Sequence, residues 1–303
     1  MIERILAATD FSKTSESALK WTSALALVHQ AEVRLVHALL LPSHPTPYLP
    51  PAPSFDQELQ QKVASLLEEA ADGLRTRGVK VSTDLAHGTA SQAIIGACEE
   101  WQADLAVVGT RGLSGWQHLL LGSTAERVIS AAPCPVLGIH PGDQVPSRPI
   151  RKILIPTDFS DESRRAAEVT LDLLAPQAKG ELLIAHGFRF TADYGLYGMG
   201  TPAQVYLDSI EESARRELES WTASLEARDW TVHTRLVAGA PYEVIARLAE
   251  EEGVDLVAMG THGHGRVGGL LLGNTARRTL QHATCPVLTV RKTRRVPKRD
   301  ASG

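Results

Sequence analysis

The sequence predicts an α/β protein of two tandem doubly wound domains, each a five-stranded parallel sheet with helices on both faces. Three observations lead there. A chain of 303 residues fits two hydrophobic cores of ordinary size better than one. The run Ile5-Leu6-Ala7-Ala8-Thr9-Asp10-Phe11-Ser12 returns as Leu154-Ile155-Pro156-Thr157-Asp158-Phe159-Ser160, so that Asp10 and Asp158 stand 148 residues apart. Within each half, short β-rich runs alternate with longer amphipathic ones, the pattern of βαβ units on a parallel sheet.

In the first half, strands are predicted near 3–8, 33–39, 79–85, 104–109 and 135–140. Helices are predicted between them near 13–29, 56–76, 90–101 and 122–131, with Ser12, Ser54 and Ser123 as N-caps because a short side-chain oxygen can accept from a free helix N–H. The second half repeats this with strands near 152–156, 181–186, 231–237, 255–259 and 286–291 and helices near 161–175, 203–227, 241–252 and 274–282. Gly109-Thr110-Arg111-Gly112 recurs as Gly260-Thr261-His262-Gly263, and Cys134-Pro135-Val136-Leu137 as Cys285-Pro286-Val287-Leu288, each 151 residues on. A period this long is a whole domain rather than a solenoid unit. The expected domains are 1–141 and 151–292, joined by a proline-punctuated linker over 142–150 and followed by a basic tail over 293–303.

Composition narrows the function classes. Hydrophobic residues at 43% and charged residues at 22% match a folded chain, and a formal charge of −4 gives no strong pull toward nucleic acid or anionic membranes. No apolar run is long enough to span a bilayer, and Met1-Ile2-Glu3-Arg4 passes directly into the first strand. Cys98, Cys134 and Cys285 form no CxxC pair, which argues against a thiolate metal site and suits a reducing compartment. The expectation is a cytoplasmic protein without a membrane partner.

The chemistry concentrates after the fourth strand of each half. Gly109, Gly112, Gly122 and Ser123 give the spacing G-x2-G-x9-G-S, in which glycines allow close backbone approach and a helix start offers free N–H groups to a phosphate. Ser123 and Thr124 add hydroxyls, and Arg111 is either a phosphate partner or a solvated side chain. Asp10, at the C-terminal end of the first strand, faces the same crevice, where its carboxylate either accepts from a ligand or caps the next helix.

The Thr9-Asp10-Phe11-Ser12 turn, the glycine loop and the Cys134-Pro135-Val136 strand, each present twice, make nearly the whole chain resemble the tandem members of the universal stress protein family. In the ATP-binding branch, the resemblance implies that the aspartate ending strand one contacts adenine, that backbone near the end of strand two helps hold the base, and that the glycine loop holds ribose and phosphates. This carries to Asp10, to Val36 or His37, and to Gly109, Gly112, Gly122 and Ser123. ATP or a related adenine nucleotide is the implied ligand, with Mg2+ as its companion. The resemblance also implies that the final strands, Val136–Ile139 and Val287–Val290, pair across the halves as an intramolecular pseudo-dimer; the same apolar residues would equally suit burial within their own sheets, and a homodimer of chains stays open.

The second half offers Asp158, Gly260, Gly263, Gly273 and Thr275, but Asn274 stands where the motif expects Ser or Thr, so binding is expected to be weaker there. His262, His264 and Arg266 in this loop read as phosphate or metal partners or as exposed polar residues. Gly263 to Gly268 spells GxGxxG, yet it follows the fourth strand rather than the first and lacks an acidic ribose partner, so it is no dinucleotide fingerprint. No P-loop lysine follows any glycine run. Prolines from Pro42 to Pro53, and the glycines and tyrosines from Tyr194 to Gly200, read as lids or as variable surface loops. The basic C-terminal run from Arg291 to Arg299 reads most simply as a tail, so nucleic acid is not an expected partner. The function expected is nucleotide binding and signalling in a stress response with slow or no hydrolysis; the alternatives are an ATPase or phosphotransferase, or a scaffold for another small anionic or apolar ligand.

Overall fold

The structure, a computed structural model, describes residues 2–40, 53–112, 120–145, 150–174, 179–188, 203–263 and 271–291. The proline and Tyr194–Gly200 segments, His264, Arg266, the GxGxxG run beyond Gly263, residues 146–149 of the linker and the basic tail lie outside these residues.

The first half runs β1 (Arg4–Ala8), α1 (Lys13–His29), β2 (Glu32–Leu39), α2 (Pro53–Arg75), β3 (Val81–His87), α3 (Ala90–Trp101), β4 (Leu105–Gly109), α4 (Ser123–Ala131) and β5 (Val136–Ile139). The second half repeats the order as β6 (Lys152–Pro156), α5 (Asp161–Leu174), β7 (Glu181–Phe188), α6 (Ala203–Ala223), β8 (Thr231–Ala238), α7 (Pro241–Glu251), β9 (Leu256–Gly260), α8 (Asn274–His282) and β10 (Val287–Val290). Of the predicted caps, Ser12 accepts from the Ser15 N–H at 3.2 Å, whereas Gly122 rather than Ser123 occupies the N-cap of α4. Ser123 is the first helical residue. Ser54 likewise falls inside α2, because Pro53, with φ already fixed and no N–H to satisfy, opens that helix.

The strands form one ten-stranded sheet in the order β3-β2-β1-β4-β5-β10-β9-β6-β7-β8. Each half is parallel, and the two join through antiparallel pairing of β5 with β10, Leu137 opposite Leu288. The final strands therefore pair across the halves, as the resemblance implied. Thr289 Oγ1 donates to the Val136 carbonyl at 3.0 Å, and His140 Nε2 donates to the Leu280 carbonyl at 2.8 Å across the same seam.

Strand alternation builds two cores from one run of sequence. Ile5, Ala7, Leu35 and Val107 point to the face covered by Trp21 of α1 and Leu67 of α2, while Leu6, Val36, Ala106 and Val108 point to the face covered by Ile94 of α3 and Val128 of α4. Both cores continue into the second half through Ile153 and Leu154. Near-continuous apolar strands follow from burial on both faces. The order reverses between β1 and β4, which leaves a crevice beyond their C-terminal ends, with an equivalent one between β6 and β9.

Candidate functional site

The turn after β1 is a small network of local bonds. Thr9 N–H continues the ladder to the Val36 carbonyl at 3.0 Å, Thr9 Oγ1 accepts from Phe11 N–H at 3.0 Å, and Asp10 Oδ1 accepts from Ser12 N–H at 3.0 Å. These bonds hold Phe11 at φ 62°, a left-handed conformation that costs a residue with a Cβ about 1–2 kcal/mol. The Phe11 ring stacks on His37 at 4.6 Å between centroids, and His37 Nδ1 donates to the Thr9 carbonyl at 2.8 Å. The second half copies the device: Phe159 at φ 66° stacks on His186, whose Nδ1 donates to the Thr157 carbonyl at 2.8 Å. In both copies the left-handed phenylalanine directly follows the strand-end aspartate, whose carboxylate bonds within the same turn.

Asp10 is accordingly not the helix cap; Ser12 is. The Asp10 carboxylate braces the turn with Oδ1 and presents Oδ2 to Gly112, where a Cβ would stand 2.7 Å away. That close approach brings the strand-one aspartate against the glycine loop. Gly122 N–H then donates to the Thr110 carbonyl at 2.8 Å, folding the far end of the loop back on its start. No side chain caps α4 at Gly122, so the first N–H groups of Ser123, Thr124 and Ala125 open toward the crevice with the positive end of the helix dipole.

The resulting cavity, of about 290 Å³, is lined by Asp10, Val36, Gly109, Arg111, Gly112, Gly122, Ser123 and Thr124, which brings together all the first-half candidates except His37. Strand alternation explains the exception. Val36 and Ala38 share the crevice face, while His37 points to the opposite face and serves the Phe11 turn. Thr9, Ser15, Ala38, Ala90 and Ile94 also line the cavity and were missed, since single small or apolar residues in a strand or helix carry no sequence signal of their own.

The second crevice, about 200 Å³, gathers Asp158, Gly260, Gly263, Gly273, Asn274 and Thr275. Pro156, Pro241 and Met259 replace Ala8, Ala90 and Val108 on its walls. Asp158 Oδ1 accepts from both the N–H and the hydroxyl of Ser160, the latter at 2.5 Å.

The three cysteines are buried. Contact with the Cys98 thiol, together with burial, pushes Cys134 upward, and burial pushes Cys285 up to about 12. Thiolates are disfavoured at both. Among the described residues no helix is long and apolar enough to cross a membrane.

A model of the universal stress protein family matches residues 1–140 and again 149–291. The chain belongs to the universal stress protein family. A universal stress protein of Mycolicibacterium smegmatis is 29% identical over 294 residues, covering 95% of this chain and 96% of its own. One from Methanocaldococcus jannaschii is 33% identical over 146 residues, covering 47% of this chain and 82% of its own, as expected of a single-domain relative of a tandem universal stress protein. The crystal structure of a universal stress protein from Archaeoglobus fulgidus superposes with a TM-score of 0.67 at 24% identity, covering 95% of this chain and 98% of that one, which supports the tandem fold.

Proposed function

We propose that the first-half crevice binds ATP or a related adenine nucleotide, and that the protein acts as a nucleotide-responsive binding and signalling protein in a stress response. One observation carries the reading: Asp10 Oδ2, the Arg111 side chain and the uncapped start of α4 converge on one cavity. A carboxylate acceptor that shares one cavity with a cation and free helix N–H groups suits a base with an exocyclic amine joined to a polyphosphate. Val36 and Ala38 give the base an apolar wall. Mg2+ would arrive with the nucleotide, held by its phosphates. The cytoplasm, where such a ligand is available, is the proposed compartment.

Adenine offers an N6 donor where guanine offers an O6 acceptor, so an acceptor at Asp10 favours adenine. A ligand at about 100 times its dissociation constant adds about 2.7 kcal/mol to the folded state. Thermal unfolding with saturating ATP, GTP and inorganic triphosphate tests this: ATP should raise Tm most. Equal shifts with all three would remove base recognition from the proposal, and no shift with ATP would remove nucleotide binding.

A further inference from the structure

At the centre of the ten-stranded sheet, equivalent residues of the two halves meet each other. Leu137 and Leu288, opposite one another in the β5–β10 pair, are each the second residue of their strand. Glu126 and Arg277, whose Oε1 and Nε lie 3.4 Å apart, are each the fourth residue of their helix, α4 and α8. Equivalent positions touch each other only where a two-fold axis passes between them, so both pairs straddle the pseudo-two-fold axis of the chain. On that axis, a half paired with its own kind would set each of these residues against itself.

Charge discriminates there. Two first halves would oppose Glu126 to Glu126, and two second halves Arg277 to Arg277. With side chains 33% and 50% exposed, the Glu126–Arg277 pair attracts only weakly, but like charges in its place repel, and selectivity is the difference between the two. Shape discriminates independently. Gly138, third in β5, faces Leu280 of α8: a Cβ at 138 would stand 3.1 Å from Leu280 Cδ2 and 3.0 Å from Thr110 Cγ2. The third residue of β10 is Thr289, so two second halves would press a branched side chain into the space that Leu280 needs. Two first halves would escape that clash but lose a bond, because Thr289 Oγ1 donates to the Val136 carbonyl at 3.0 Å and Gly138 has no hydroxyl to replace it.

We infer that the seam is selective for unlike halves, with Glu126, Arg277 and the fit of Leu280 against Gly138 setting the preference. The partner that this surface fits is the complementary half of the same sequence. Two copies of the chain meeting through β5 and β10 would have to exchange a first half for a second, and would not pair like with like.

Cysteines placed on the axis read the pairing and leave the charges and the Gly138 fit untouched. Full-length chains refolded from urea at high concentration in reducing buffer, then moved into oxidised glutathione, give like halves the chance to meet before they are trapped. Leu137→Cys/Leu288→Cys should form the 137–288 disulfide within one chain, seen in the peptide map. Leu137→Cys alone and Leu288→Cys alone should give no covalent dimer above the wild-type background, which accounts for Cys98, Cys134 and Cys285. A covalent dimer of either folded single variant, linked through the introduced cysteine, would overturn the inference, as would a folded double variant without the 137–288 link. Charge is read separately. Glu126→Arg and Arg277→Glu should each lower the urea midpoint, and the two together should recover most of the combined loss. Losses that simply add would overturn the assignment of selectivity to Glu126 and Arg277.

Discussion

Gly122 and Gly273 hold equivalent N-cap positions, yet alanine should cost far more at the second. Both have a backbone that alanine adopts freely, φ −63° and ψ 139° at Gly122 and φ −59° and ψ 146° at Gly273. Each donates its N–H to the threonine carbonyl at the loop start, at 2.8 and 2.9 Å. The difference lies in the room beside that carbonyl. A Cβ at 122 would stand 3.2 Å from the Thr110 oxygen, whereas one at 273 would stand 2.8 Å from the Thr261 oxygen. The first is relieved by a shift of a few tenths of an ångström, near the low end of the 1–3 kcal/mol range for overpacking, and the entropy removed from the unfolded chain, about 0.4–1 kcal/mol, offsets much of it. The second must displace backbone and stretch a hydrogen bond worth about 0.5–1.5 kcal/mol. Gly122→Ala should therefore lie within about 1 kcal/mol of wild type and Gly273→Ala about 1–3 kcal/mol below it, read as shifts in the urea unfolding midpoint at unchanged slope. A Gly122→Ala loss equal to or larger than that of Gly273→Ala would refute the reasoning.

Two further outcomes follow from other parts of the molecule. His29 is buried with no hydrogen-bond partner at either ring nitrogen among the described residues, and burial, followed by the charge of the N-terminal amine, lowers its pKa from 6.5. The unfolded chain takes up a proton there that the folded chain refuses, so stability is whole above pH 6.5 and falls as pH drops toward the lowered value, by at most about 1.4 kcal/mol per unit for this one group. Urea midpoints between pH 7.5 and 5 should show this slope, and His29→Phe should flatten it; an unchanged slope would count against the assignment. Turnover of ATP should stay well below the roughly 1–100 per second of kinases, because the helix N–H groups hold ground-state phosphate as well as the transition state. A steady-state assay showing kinase-like rates, abolished by Ala38→Phe in the crevice, would mean that a catalytic group lies among residues not credited here with chemistry.

The strands, the helices and the duplication were legible because they rest on period and repetition, which a sequence states directly. The crevice was legible through Asp10 and the glycines because both follow strands that flank the reversal of strand order, where a parallel sheet opens at its C-terminal edge. What escaped reading depended on direction in space. Val36 and His37 are adjacent in sequence, and only the register of β2 against β1 decides which of them faces the crevice. Phe11 was legible only as part of a repeated motif, and its φ of 62° makes it the pivot of the turn. The His262 bond to Leu271 spans nine residues of loop, and nothing in the spacing of the two announces it.

The affinity of the intact chain for ATP, measured by isothermal titration on wild type and on Ala38→Phe, tests the central claim most directly. Ala38 is half-buried on the crevice wall, beyond the glycine loop and the Phe11 turn, so a phenylalanine there fills the space proposed for the base and leaves the phosphate end intact. The wild type should bind ATP, and Ala38→Phe should lose at least a hundredfold in affinity while its urea midpoint stays close to that of wild type. Undiminished ATP binding by a folded Ala38→Phe would place the nucleotide somewhere other than the first crevice and contradict the account.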